Sequence, residues 1–145
     1  MGFLFGQLTV GTKNAQIQDL EAQILNNEEI KQLQHNSFSN DETRIKRDFA
    51  IEQEQIENQM DALDDKTSDE YFDLMAEKKD LQNERDEKIE QIEERANEMQ
   101  TRIDNENAAL SERKEVLEQE KNATQEFVNQ EARKEFGYFG GGAKQ

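Results

Sequence analysis

Proline, cysteine and tryptophan are all missing from this 145-residue chain, and there is a single histidine. Without cysteine there is no disulfide, no thiolate metal site and no thiol nucleophile. Without proline the strongest breaker of a helix is gone. Glycine is scarce in a patterned way. All seven lie at positions 2, 6, 11, 137, 140, 141 and 142, so residues 12–136 contain neither glycine nor proline. Long apolar runs are also missing: no stretch approaches the roughly 20 residues that span a bilayer. The run "FLF" at residues 3–5 is too short for a secretory h-region and no basic residue precedes it, so any export is expected to use a route without a cleaved signal. With 32% hydrophobic and 36% charged residues, the chain has the length of one domain and too little apolar surface for a broad core.

What is abundant is negative charge: 34 acidic against 18 basic residues, a net charge of −16. Such a surface repels phosphate, which argues against nucleic acid and anionic lipid as partners. Low hydrophobicity with high charge is also the signature of disorder, and periodicity is what argues against it here. Ile89, Ala96, Ile103, Leu110 and Leu117 recur every seven residues, and Ile92 and Met99 fill the intervening position. Upstream, Leu81, Arg85 and Ile89 have the spacing of a stutter. Beyond Met99 this register puts Glu106, Arg113 and Glu120 in the second seam position. In the first half, Val10, Ile17, Leu20 and Ile24 form one stripe, and Ile30 and Leu33 a shifted one. Phe38, Ile45, Phe49, Ile56, Met60 and Leu63 form a third. Each half therefore offers one thin apolar face, insufficient alone and adequate when paired.

The pattern predicts an all-α fold: a long antiparallel helical hairpin, or coiled coil, with non-helical Phe/Gly-rich termini. Residues 1–12 form an apolar tail, 13–136 the hairpin and 137–145 a glycine-rich tail. "DDKTSDEYF" at residues 64–72 marks the reversal, near 64–68. Thr67 and Glu70 have the spacing of a capping box there, with Asp69 and Glu70 suited to a helix N-terminus. The helices then run over about 13–64 and 68–136. A second box, Ser39 with Glu42, leaves open a break at 35–40. Centring the hairpin on residue 66 places Phe49 opposite residue 83, Ile17 opposite 115 and Thr12 opposite 120, which brings the two Phe/Gly ends to the same end.

Few residues invite chemistry. An EF-hand loop starting at Asp65 needs glycine sixth and glutamate twelfth, where the chain has Glu70 and Ala76. His35 lacks the second histidine or cysteine of a transition-metal site. Pairs such as Glu93 and Glu94 lack the cleft that acid–base catalysis needs. "GGG" at 140–142 is followed by no Lys-Ser/Thr. Arg44, Lys46 and Arg47 sit among Asp41, Glu42 and Asp48, which suits pairing along a helix. The expectation is a non-enzyme with no catalytic residue, no metal ligand, no cofactor and no small-molecule substrate.

The ends are the exception. Exposed Phe and Tyr beside glycine favour association unless they are buried. The expected self-association residues are Phe3, Leu4, Phe5, Phe127, Phe136, Tyr138 and Phe139, together with seam residues Ile89, Ile92, Ala96, Met99, Ile103, Leu110 and Leu117. In layout, a rod of two long antiparallel helices whose terminal ends meet resembles the subunits of exported bacterial filaments: type III secretion needle and sheath filaments and the inner core of flagellin. The resemblance is architectural, covers residues 1–136 and carries over no motif. It implies a structural subunit that polymerises with copies of itself, outside the cell. The acidity and the glycine-rich C-terminus depart from needle proteins. The alternative is a cytoplasmic coiled-coil adaptor, chaperone or phage scaffold, acting as a small oligomer.

Overall fold

The computed structural model describes the backbone of residues 2–140 and the side chains of residues 4–135. Two helices account for nearly all of it: α1, Gly2–Asp61, and α2, Asp69–Gly140. They run antiparallel and pack against each other as a hairpin, so the all-α expectation holds. The connection lies between Asp61 and Asp69, with α1 ending at Asp61 rather than at residue 64. Two further boundaries differ. Helix α1 starts at Gly2, so residues 2–12 are helical where a non-helical tail was expected. Helix α2 extends to Gly140 rather than stopping at residue 136, and residues 141–145 of the expected C-terminal tail lie outside the described ones. No break occurs at 35–40. The Thr43 hydroxyl donates to the Ser39 carbonyl at 2.9 Å, and Lys46 pairs with Glu42 at 3.0 Å, both within a continuous helix.

The turn is built from short polar side chains. Asp65 accepts from both the Thr67 backbone N–H, at 2.8 Å, and the Thr67 hydroxyl, at 2.6 Å. These bonds, the hydroxyl's first, hold the Asp65 carboxyl below its ordinary range. The Ser68 hydroxyl donates to the Asp65 carbonyl at 2.8 Å and accepts from the Tyr71 N–H at 3.2 Å. Ser68 is therefore the N-cap of α2, with Tyr71 at the third helical position, one residue later than the Thr67–Glu70 box. Lys66 donates to the Met60 carbonyl at 2.6 Å, placing a cation on an acceptor near the C-terminal end of α1 that also takes the Leu63 N–H at 3.2 Å.

The chain divides into two compact units. The terminal unit is Met1–Glu29 with Ile103–Gln145; the turn unit is Ile30–Arg102. In the terminal unit Ile17, Leu20, Ile103, Leu110 and Val128 are buried. Gly6 approaches so closely that an added Cβ would lie 2.5 Å from Val128 Cγ2, which is why glycine stands there. Gly11, by contrast, has open space around it. Lys13 pairs with Glu120, within one residue of the expected Thr12-to-120 pairing, and Lys114 pairs with Glu21 at 3.3 Å, three residues along from the position that register puts opposite residue 21.

After Ile103 the seam changes phase. Asn107, not Glu106, turns inward and is buried at 8% exposure. Lys114 and Lys121 follow it on the half-buried side, while Arg113 and Glu120 are exposed. The Asn107 amide donates to Glu28 Oε1 at 2.9 Å, and its carbonyl accepts from the Asn27 amide at 2.9 Å. Ile103, Leu110 and Leu117 fit either phase, and polar residues give no hydrophobic signal to separate the two.

In the turn unit Ile56 is buried, and most other seam residues are half-buried. Gln82 donates to Gln53 at 3.4 Å, and Lys78 pairs with Glu57 at 2.9 Å. The hydrogen bond from Lys78, then that from Gln53, lowers the Glu57 pKa. Ile30 and Leu33, expected as a stripe, are 37% and 69% exposed, and Lys31 and Gln34 take the half-buried positions.

Candidate self-association surface

The expected association residues fall into three groups. Ile103 and Leu110 are buried, and Ile89, Ile92, Ala96, Met99 and Leu117 half-buried, on the seam that the two helices share within one chain. Their apolar surface is largely covered without a second molecule. Leu4, Phe5 and Phe127 are at the surface, at 66%, 73% and 50% exposure. Phe3, Phe136, Tyr138 and Phe139 lie outside the described side chains.

Exposed leucines that single-stripe reading missed join the second group. Leu8 is 72% exposed and Leu25 63%. Both lie on α1, in the terminal unit. The helix repeats every 3.6 residues, which puts Leu8 opposite Ile17 and Leu25 well round from Leu20, the buried residues of the same helix. A shallow trough lined by Leu4, Gln7, Leu8, Gly11, Thr12 and Ala15 runs along this outer side. The signal was in the sequence, since Leu4, Leu8 and Leu25 share one helical face.

Electrostatics single out the same segment. Residues 1–12 contain no charged side chain, the longest such stretch in a chain of net charge −16. Elsewhere the surface carries ion pairs along one helix, such as Lys88 with Glu84 at 3.3 Å. His35 is exposed in the turn unit, beside a groove floored by Phe38, Ile92 and Ala96. Among the described residues, no group of three or more Asp, Glu or His side chains is placed to hold a metal ion. Among them, too, no helix is long and apolar enough to cross a membrane.

No protein-family model, no curated protein and no solved structure matches this chain. The functional reading therefore stands on the geometry: an all-α hairpin with its seam largely filled internally and apolar side chains left exposed on α1.

Proposed function

We propose that this chain is a non-enzymatic structural protein that self-assembles, as a filament subunit polymerising through its terminal end. The observation that carries the reading is the coincidence of Leu4, Phe5 and Leu8, each at least 66% exposed, with the longest uncharged stretch of the sequence. Covering a large apolar side chain contributes roughly 1.5–3 kcal/mol. Several such contacts per subunit offset the repulsion between strongly acidic copies, and an uncharged contact adds none of its own. Outside the cell is the location that fits a filament.

Negative-stain microscopy and light scattering of the full chain test this, with residues 1–11 deleted in a parallel sample. Filaments that disappear on deletion support the reading, and filaments that persist move the polymerisation element elsewhere. A discrete small oligomer favours a second reading, a cytoplasmic coiled-coil adaptor or scaffold. Phe72 and Met75, at 54% and 45% exposure close to the turn, support that reading.

A further inference from the structure

The outer face of α1 carries a second heptad stripe of its own. Leu4, Leu8, Gly11 and Ala15 follow at spacings of 4, 3 and 4, and Gln18, Ala22 and Leu25 continue at 3, 4 and 3. All seven are exposed, while Ile17 and Leu20 on the other side of the helix are 6% and 5% exposed. Seven positions alternating by three and four make a coiled-coil seam, and among the described residues none covers this one. Six of the seven are apolar or small. Gly11 and Ala15 allow a facing helix to come close, and Leu8 and Leu25 lie 17 residues apart, near the ends of the stripe.

We infer that this stripe pairs with the same stripe of a second copy, antiparallel, setting Leu8 across from the second copy's Leu25 and Gly11 across from its Ala22. Charge selects both the occupant and the direction. On the flanks of the stripe, Phe5, Gln7, Thr12 and Asn14 are uncharged at the N-terminal end, whereas Asp19, Glu21 and Glu28 lie towards the other end. Parallel copies gather all these carboxylates at one end. Antiparallel copies set Asp19 near the second copy's Thr12, Glu21 near its Asn14, Glu28 near its Gln7 and Glu29 across from its Leu4, so each of these carboxylates meets an uncharged residue. Two of them already have intrachain partners: Lys114 beside Glu21 at 3.3 Å and the Asn107 amide on Glu28 at 2.9 Å. A symmetric pairing of this kind is isologous and closes into a dimer. The inference rests on the self-assembly reading: it gives Leu4 and Leu8 to a closed dimer that serves as the building block, and growth beyond the dimer uses other exposed apolar side chains, such as Phe127.

The absence of native cysteine makes the test clean. Leu8→Cys and Leu25→Cys chains are oxidised separately and as a mixture, and their mass is followed by sedimentation. Antiparallel pairing yields a disulfide-linked dimer in the mixture alone, because identical positions sit about 25 Å apart at 1.5 Å per residue. Ala15→Glu, which sets a carboxylate into the stripe of both copies, weakens dimerisation by roughly tenfold or more. Cross-linking of each variant with itself means parallel pairing and overturns the inference. Assembly without cross-linking, and untouched by Ala15→Glu, also overturns it while leaving the self-assembly reading intact. A chain that stays monomeric overturns both.

Discussion

In the terminal unit the described seam buries Ile17, Leu20, Ile103, Leu110 and Val128, whereas in the turn unit Ile56 is the one buried apolar residue among those described. The difference lies in what each seam is made of. Small and branched residues, Gly6 against Val128 above all, let the backbones of the terminal unit approach. The turn unit carries Phe38, Phe49 and Tyr71 at half-buried positions, rings too large for one facing helix to cover. It also carries polar residues there: Gln53, Lys78, Gln82 and Arg85. Gln34 Oε1 is buried with no hydrogen-bond partner, a cost the terminal unit avoids by tying Asn107 to Asn27 and Glu28. Two stretches of one hairpin with the same period thus bury their seams to different extents, because the seams differ in composition.

The largest test of that contrast compares Ile103→Asp with Ile92→Asp. A carboxylate at buried Ile103, 7% exposed, is cut off from water and costs about 3–5 kcal/mol. At half-buried Ile92 it reaches water and costs markedly less. Thermal melts followed by circular dichroism separate the two, and equal losses would mean that the units are equally tight. Next comes Asn107→Ala, which strands the Asn27 amide and removes a donor from Glu28. It lowers stability by about 1–2 kcal/mol, and it loosens the register, because a buried polar residue in a seam penalises slipped pairings.

A pair of glycine substitutions has a smaller effect and opposite signs. Gly11→Ala gains about 1 kcal/mol of helix propensity, with nothing nearby to resist the methyl. Gly6→Ala drives a Cβ against the stiff, branched Val128, and overpacking of about 1–3 kcal/mol cancels or reverses the same gain. Melts in dilute solution read the difference directly. If both variants are stabilised alike, the close approach at Gly6 is not real.

Smallest is the acid response of the turn and the adjoining seam. The folded pKa values of Asp65 and Glu57 are lowered, so both favour the folded state fully above the ordinary carboxylate range. That contribution is lost as pH falls through their depressed folded values, below about pH 4. Thr67→Val removes the hydroxyl that is the largest cause at Asp65. Its melting temperature is then less sensitive to acid than that of the parent chain, and an unchanged pH profile would remove Asp65 from the account.

Much of this fold is legible in the residues. The breaker-free run of residues 12–136 and the stripes on both halves give two helices, and the cluster of short polar residues at 64–68 gives the turn. Three features escaped for physical reasons. Three glycines in the first eleven residues argue against helix at about 1 kcal/mol each, yet α1 begins at Gly2 and uses Gly6 for close packing. The inward turn of Asn107 is silent because a polar residue adds nothing to an apolar period. The outer stripe of α1 is diluted by Gly11, Gln18 and two alanines, so only Leu4, Leu8 and Leu25 announce it. In the candidate surface, Leu4, Phe5 and Phe127 were readable as exposed apolar residues, and Leu8 and Leu25 became so once the buried side of α1 was fixed.

Sedimentation velocity of the full chain over a range of concentrations, at neutral pH and near pH 5, is the most direct test of self-assembly. The account predicts species heavier than the 16.9 kDa chain that grow with concentration, and grow further in acid or salt as repulsion between copies is neutralised or screened. A single 16.9 kDa species under every condition would contradict it.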